Sequence, residues 1–339
     1  MIRRGADPAR SPVNNKAHAR RLFIGGACVI LAWTLFSGPA EADHKVAHCR
    51  PDPAEALFPA EFPALLDHEW QYRLGGWGGQ QPGASVRHRP VIFVHGNTRD
   101  AGDWDEPADS VKRRFLEAGY SPQELWALSY NGKATKRAPP AAQCRTDTRS
   151  NTSDLAAFIK AVLAYTGAAK VDLIGHSLGV MIIRSVLTEH QDLLPHVDHV
   201  VAIAGPNHGT TVCRRLWLIW LIGWSDFVGC DELVPGSDWL RRLNGPGGER
   251  ETPGPARYMT IYDGTGADIF YRSWLFGWPV GDADSPTLDG ADNRRLPGLT
   301  HDELRTDEQA VALYLQFVSD QSSPNLTKNL LSKDRLRGR

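Results

Sequence analysis

The pentapeptide at residues 175–179 (GHSLG) contains the residue of this chain that is best placed to act as a nucleophile, Ser177. It follows the short apolar run 171–174 and precedes residues 178–189, whose apolar side chains recur at helical spacing. A serine on a tight strand-to-helix turn exposes its hydroxyl at the edge of a sheet, and flanking glycines let neighbouring backbones approach. The pattern favours a nucleophilic Ser177 over a surface serine in a glycine-rich turn.

A serine hydroxyl needs a neighbouring base, which is itself oriented by a third group. When the serine lies on such a turn, the acid and then the histidine follow it along the chain. His301 lies in a loop just before the last predicted helix and is the predicted base; the alternative is an ordinary exposed loop residue. Asp263 and Asp268 both follow the predicted strand 258–262. We favour Asp268, because the glycine-rich turn between them can bring it back to the edge of the sheet.

A tetrahedral intermediate also requires two preorganised backbone N–H groups. One is predicted to be the N–H of Leu178, directly after the nucleophile. The other is predicted to be that of Asn97, in the HG loop (residues 95–98) that follows the predicted strand 91–94. Gly96 would let this backbone approach a substrate carbonyl. His95 is interpreted as a structural residue of the turn rather than a second base.

Buried strands and helices alternate along the chain and must position these residues. The predicted strands are 91–94, 124–130, 171–174, 200–204 and 258–262, and the predicted helices are 111–118, 153–165, 178–189 and 307–318. This alternation predicts an α/β fold with a mostly parallel sheet covered by helices on both faces. The proline-rich lead-in at 51–63 and the glycine-rich stretch 75–83 are predicted to be surface loops.

The first 42 residues form a basic leader, an apolar stretch at 22–36 and the small-x-small pattern Ala40-Glu41-Ala42. Because a membrane span needs about twenty apolar residues, this segment is typical of a cleavable signal peptide instead. We expect a secreted or periplasmic protein without a stable membrane span in the mature chain. Arg20-Arg21 leaves both Sec and twin-arginine export open. Residues 43–320 would form one catalytic domain, followed by a flexible tail at 321–339.

Cysteine usage agrees with export. Cys28 lies in the signal, and the other four cysteines suggest two disulfides in an oxidising compartment. We favour Cys213–Cys230, which leaves Cys49–Cys144; free buried thiols are the alternative. The sequence has no C-x-x-C motif or histidine-rich cluster, and its net charge is −1. We therefore expect no metal, no cofactor and no nucleic-acid partner.

Three segments together resemble secreted bacterial lipases of the α/β-hydrolase superfamily. These are residues 91–98 (VIFVHGNT), 166–179 (TGAAKVDLIGHSLG) and 203–210 (IAGPNHGT). Class 2 lipases are most similar in pattern, and related extracellular polyhydroxyalkanoate depolymerases share it. The resemblance implies the α/β-hydrolase fold, a Ser177–Asp268–His301 triad and a structural His208. Val180 departs from the pattern, because many such enzymes have a second glycine there.

The resemblance also implies a lid or cap, here at about residues 212–245. Residues 216–224 contain three tryptophans, and a second aromatic cluster spans 270–278. Such segments would suit water-insoluble substrates if exposed, but they could equally be buried against the sheet.

The expected function is that of a secreted serine carboxylic-ester hydrolase, a lipase or esterase, that cleaves hydrophobic esters through an acyl-serine intermediate. The alternatives are a polyhydroxyalkanoate depolymerase, a serine amidase or peptidase, an acyltransferase and a non-catalytic hydrolase-like binding protein. The sequence leaves acyl-chain length, the choice of lipid or polyester, and oligomeric state open.

Overall fold

The computed structural model describes residues 62, 75–79, 85–130, 147–210, 212–213, 229–271, 274–275, 278–279 and 281–319. Within these residues one seven-stranded sheet has the order β1-β3-β2-β4-β5-β6-β9, and β7 pairs with β8. The strands are β1 (Gly75–Gly78), β2 (Val91–Val94), β3 (Leu125–Ser129), β4 (Val171–His176), β5 (Val197–Ile203), β6 (Arg257–Tyr262), β7 (Trp274–Leu275), β8 (Trp278–Pro279) and β9 (Asp292–Arg295). Strand β1 is antiparallel to β3, and the other strands of the large sheet are parallel.

The first five α-helices lie between these strands along the chain, and the last two follow β9. They are α1 (Val111–Glu117), α2 (Arg149–Thr166), α3 (Leu178–Glu189), α4 (Cys230–Leu233), α5 (Asp238–Asn244), α6 (Glu303–Thr306) and α7 (Glu308–Ser319). Helix α1 begins after Ser110, whose hydroxyl accepts a hydrogen bond from the Arg113 N–H. Helix α2 ends at Gly167, which adopts the left-handed conformation (φ 67°) common after helices. None of the helices in the described ranges is long and apolar enough to cross a membrane.

Both faces of the central strands are buried, which explains their continuous apolar runs. Since successive side chains of a strand point to opposite faces, Ile92 and Val94 join the core formed with α2 and α3. Phe93 joins the other core, formed with α1 and α7, where its ring lies 5.2 Å from that of Phe115. The predicted α/β fold, with a mostly parallel sheet between helices, is confirmed.

The prediction of a surface loop at 75–83 was wrong for its first residues, which form β1. The strand could not be recognised from the sequence, because glycine is uncommon in β-strands. It is required here because a Cβ on Gly76 would lie only 1.9 Å from the Ala127 carbonyl oxygen of β3. Strand β9 was not predicted either. Its residues are polar and mostly exposed, as is common at the edge of a sheet.

The predicted Cys213–Cys230 disulfide is present, with the two Cα atoms 5.0 Å apart. Cys49, Cys144, the predicted signal and tail, and the tryptophan-rich run 216–224 lie outside the described residues. The second half of the predicted cap forms α4 and α5, whose Leu233 and Leu240 are buried in the core beside α3. That half packs on the domain.

A buried charged cluster joins the amino-terminal ends of the central strands. Asp172 Oδ1 of β4 accepts hydrogen bonds from the backbone N–H and Nδ1 of His199 on β5 (3.1 and 2.9 Å). Arg89 Nε lies 3.2 Å from both oxygens of Asp172, and its Nη2 donates to the Val318 carbonyl (2.9 Å). The cluster therefore fixes the end of α7 to the sheet.

Candidate active site

Ser177 lies between β4 and α3 in a strained conformation, with φ 55° and ψ −123°. A non-glycine residue with such angles costs on the order of 1–3 kcal/mol and persists only where its surroundings hold it. The Ser177 N–H donates to the Ile203 carbonyl (2.9 Å), and its carbonyl accepts from the Val180 N–H (3.0 Å). Gly179 is required, because a Cβ there would lie 2.4 Å from the Val94 carbonyl oxygen. The turn thus presents Ser177 at the carboxyl end of β4.

The structure brings Asp268 and His301 together. His301 Nδ1 lies 2.7 Å from Asp268 Oδ2, and Asp268 Oδ1 accepts from the Phe270 N–H (3.0 Å). The Asp268 side chain is buried. A hydrogen bond from Nδ1–H to the carboxylate selects the imidazole tautomer whose Nε2 can act as a base.

The alternative acid, Asp263, is engaged with backbone groups rather than with the imidazole. Its carboxylate accepts hydrogen bonds from backbone N–H groups instead, among them those of Gly266 and Gly298 (both 2.6 Å). The geometry therefore favours Asp268 as the partner of His301.

His176 connects the serine turn to His301. Its Nε2 donates to the His301 carbonyl oxygen (2.9 Å), and the two rings lie 4.7 Å apart. Burial holds the pKa of His176 well below its usual value, so the ring stays neutral beside the predicted base. Because His176 directly precedes Ser177, this contact holds the loop that carries His301 against the nucleophile's strand. The Phe270 ring also packs against the imidazole, with the ring centres 4.5 Å apart.

The HG loop lies against Ser177. A Cβ built on Gly96 would be 3.1 Å from Ser177 Cβ, so there is little room for a side chain at this position. The Tyr130 hydroxyl lies 3.0 Å from the carbonyl oxygens of both His95 and Gly96, and its ring stacks on that of His95 at 3.8 Å. Burial lowers the pKa of His95, which suits a neutral structural residue. Tyr130 thus fixes the loop that contains Asn97.

Leu178, the other predicted oxyanion donor, is the first residue of α3. The first N–H groups of a helix have no intrahelical acceptor, and they lie at the positive end of the helix dipole. Both features suit an N–H that stabilises a developing oxyanion.

A salt bridge joins the HG loop region to the segment that follows His301. Arg99 Nη2 lies 2.6 Å from Asp302 Oδ2, and Arg305 of α6 donates to the Asp103 carbonyl. The Arg99–Asp302 pair is partly exposed, so we expect it to contribute at most about 1 kcal/mol. The salt bridge holds the two loops in a fixed position relative to each other.

His208 lies in the loop after β5, and its ring contacts residues other than Asp268 and His301. Its Nε2 contacts Glu251 Oε1 (2.8 Å) and its Nδ1 contacts the Ser285 carbonyl (3.1 Å). The hydrogen bond to Glu251 raises the pKa of His208. In the same loop, the Thr210 hydroxyl donates to the Phe270 carbonyl (2.7 Å). These contacts suit a structural His208.

Sequence reasoning missed Tyr130, His176 and Asp263 as supports of the site. His176 was interpreted only as part of the pentapeptide, and Tyr130 only as the end of a strand. Of these three residues, only Asp263 has a sequence pattern that could have indicated its role, namely the glycine-rich turn that follows it.

A family model described as lipase (class 2) matches residues 88–263. The fold is similar to Bacillus licheniformis lipase BlEst2 in its mature form (TM-score 0.52, 18% identity, 72% of this chain and 96% of that one). It is also similar to Aspergillus fumigatus lipase B (TM-score 0.51, 19% identity, 80% and 63%). A third similar structure is the phospholipase PlaB from Legionella pneumophila (TM-score 0.50, 14% identity, 73% and 63%).

Proposed function

The chain belongs to the class 2 lipase family and is a carboxylic-ester hydrolase, and on that premise we propose that it cleaves hydrophobic esters through an acyl-serine intermediate on Ser177. One observation carries the proposal. The 2.7 Å contact of His301 with buried Asp268 lies beside a strained serine turn, to which the His176–His301 contact ties it. This arrangement matches the roles of nucleophile, base and orienting acid.

In the proposed mechanism, Ser177 Oγ attacks the ester carbonyl while His301 Nε2 takes its proton. The N–H groups of Asn97 and Leu178 stabilise the resulting oxyanion. The ester C–O bond then breaks, and His301 gives the proton to the leaving alkoxide. A water molecule attacks the acyl-serine with His301 again as base, which releases the carboxylic acid and restores Ser177. Asp268 keeps the Nδ1 proton in place and stabilises the imidazolium.

We propose an apolar substrate because apolar side chains lie beside the proposed acid–base pair. The Phe270 ring packs on the imidazole, and Ile269, which precedes Phe270 in the chain, is 50% exposed. We also propose that the protein is exported through the signal at 1–42. The disulfide between Cys213 and Cys230 suits an oxidising compartment.

The mechanism is tested with Ser177→Ala and, as a matched control, Ser85→Ala at an exposed position. Hydrolysis of p-nitrophenyl butyrate should fall at least about a thousandfold in the first variant and stay unchanged in the second. A fluorophosphonate probe should label the wild type and the control, but not Ser177→Ala. Retained turnover by Ser177→Ala would overturn the proposal.

Substrate class is tested with tributyrin, a long-chain triacylglycerol and a polyhydroxybutyrate film. Fatty-acid release from the glycerides supports a lipase, whereas hydrolysis of the film alone would replace that proposal with a polyester depolymerase. Peptide cleavage without ester cleavage, or acyl transfer to an added alcohol in place of hydrolysis, would also contradict it.

A further inference from the structure

Asp263 is a buried carboxylate, 2% exposed, that directly follows β6 and accepts six hydrogen bonds. Oδ2 accepts from four successive backbone N–H groups, those of Thr265 (2.8 Å), Gly266 (2.6 Å), Ala267 (2.9 Å) and Asp268 (3.4 Å). Oδ1 accepts from the Gly298 N–H (2.6 Å) and from the Thr265 hydroxyl. A carboxylate offers about four acceptor sites, so these contacts use its full capacity to accept hydrogen bonds.

The charge on Asp263 is maintained by these contacts. Burial by itself would raise the pKa of the carboxyl, but the hydrogen bonds to the charged form outweigh it, and the net pKa lies below the usual value. The group is therefore an anion at neutral pH. Hydrogen bonds to an ionised acceptor are stronger than those between neutral groups.

The two oxygens of Asp263 hold two different loops. Oδ2 organises the acid loop (residues 263–268), which ends at Asp268. Oδ1 holds Gly298, which adopts φ 91° at the start of the histidine loop (residues 298–302). The 2.7 Å contact between Asp268 and His301 joins these same two loops at their other ends. The two loops are therefore joined at one end by Asp263 and at the other end by the proposed acid–base pair.

We propose that Asp263 is a positioning residue that sets the alignment of Asp268 with His301. This inference depends on the proposed function, because the alignment matters only if these two residues serve Ser177. Misplacement of a catalytic group by about 1 Å can reduce the rate about a hundredfold. Asp263 acts through both loops at once, which a side chain fixed to only one of them could not do.

The test is a double-mutant cycle on kcat, with p-nitrophenyl butyrate as substrate. Asp263→Asn has nearly the same shape, but its amide replaces one acceptor oxygen with an N–H donor. We expect it to lower kcat about 10- to 100-fold with KM unchanged. Asp292→Asn, at a partly exposed aspartate of β9, is the matched control and should leave kcat unchanged.

The second arm of the cycle repeats Asp263→Asn in an Asp268→Ala background. If Asp263 acts through the acid–base pair, its effect on kcat should nearly vanish there, while its effect on Tm should persist. Asp263→Ser replaces Asp263→Asn in both arms if the latter fails to fold.

An equal reduction of kcat in both backgrounds, or an unchanged kcat in Asp263→Asn, would overturn the inference. Failure of the proposed function gives a different result, since Ser177→Ala and Asp268→Ala would then retain full activity.

Discussion

His301 and His199 each pair with a buried aspartate, at 2.7 and 2.9 Å respectively. His199 and Asp172 lie at the amino-terminal ends of the strands, where Arg89 covers the carboxylate. His301 and Asp268 lie beside Ser177, at the carboxyl ends. Ligands of parallel sheets bind at the carboxyl ends of the strands. His301 is therefore a candidate base because of its position in the sheet, whereas His199 is not, although both pair with an aspartate.

Tyr130 gives the first prediction at the residue scale. Tyr130→Phe removes the hydroxyl that binds two carbonyls of the HG loop, and we expect kcat to fall about tenfold because the oxyanion donor Asn97 becomes less well placed. The free energy of unfolding should fall by about 1 kcal/mol, as measured by urea titration. Tyr165→Phe is the control, since no group among the described residues hydrogen-bonds its hydroxyl. Equal kcat values in the two variants would contradict the prediction.

Residue spacing and chain order predicted Ser177, His301 and an acid after the strand 258–262, and they favoured Asp268 over Asp263. They could not predict the support from Tyr130 or Asp263. Tyr130 contacts carbonyls that lie 34 and 35 positions earlier in the chain, and a strand-end tyrosine has many other uses. The contact of Asp263 with Gly298 depends on how two loops meet, which periodicity does not encode.

At the scale of elements, the central strands were predictable because burial on both faces leaves a continuous apolar signal. The edge strands were not. Strand β1 is glycine-rich because it approaches β3 closely, and β9 is polar because it lies at the edge. Loss of the apolar signal at the edges of the sheet explains both misses.

Helix α3 carries a fully buried guanidinium, which gives a prediction about stability. Arg184 Nη2 donates to Asn244 Oδ1 (2.7 Å) and Nη1 to Asn207 Oδ1 (3.3 Å). Burial lowers the pKa of Arg184 to about 10, so the side chain remains charged at neutral pH. Arg184→Met leaves both amide oxygens buried without this donor, and the free energy of unfolding should fall by about 3 kcal/mol.

The measurement is urea unfolding of Arg184→Met against Arg241→Met, whose side chain is largely exposed on α5. Arg241→Met should change stability by less than about 1 kcal/mol. Activity per folded molecule should be kept in both variants, because neither side chain contacts Ser177, Asp268 or His301. Equal losses of stability would show that the buried network contributes nothing specific.

At the scale of the whole molecule, buried histidines make stability depend on pH. His95 and His176 have lowered pKa values in the folded chain because of burial. Their contribution is present above the unfolded pKa of about 6.5 and is lost as the pH falls towards their folded values, since the unfolded chain then binds more protons. We expect the free energy of unfolding to decrease below pH 6.5, by at most about 1.4 kcal/mol per pH unit for each histidine.

His208 contributes to the pH dependence of stability with the opposite sign. Glu251 raises its pKa, so its contribution is present below pH 6.5 and is lost as the pH rises through its folded value. Urea titrations at pH 5, 6 and 7 measure the net slope. His176→Gln, which keeps a donor for the His301 carbonyl, should reduce that slope, and an unchanged slope would contradict the assignment of His176 as a buried neutral ring.

The edge position of β9 leads to a prediction about how the protein loses activity as it unfolds. The proposed nucleophile follows β4 in the middle of the sheet, whereas the proposed base follows β9, which is exposed and, among the described strands, pairs only with β6. Edge elements open with a lower free energy than central ones. Local fraying of β9 would therefore separate His301 from Ser177 while the core stayed intact. In rising urea, ester turnover should disappear before the helical circular-dichroism signal does.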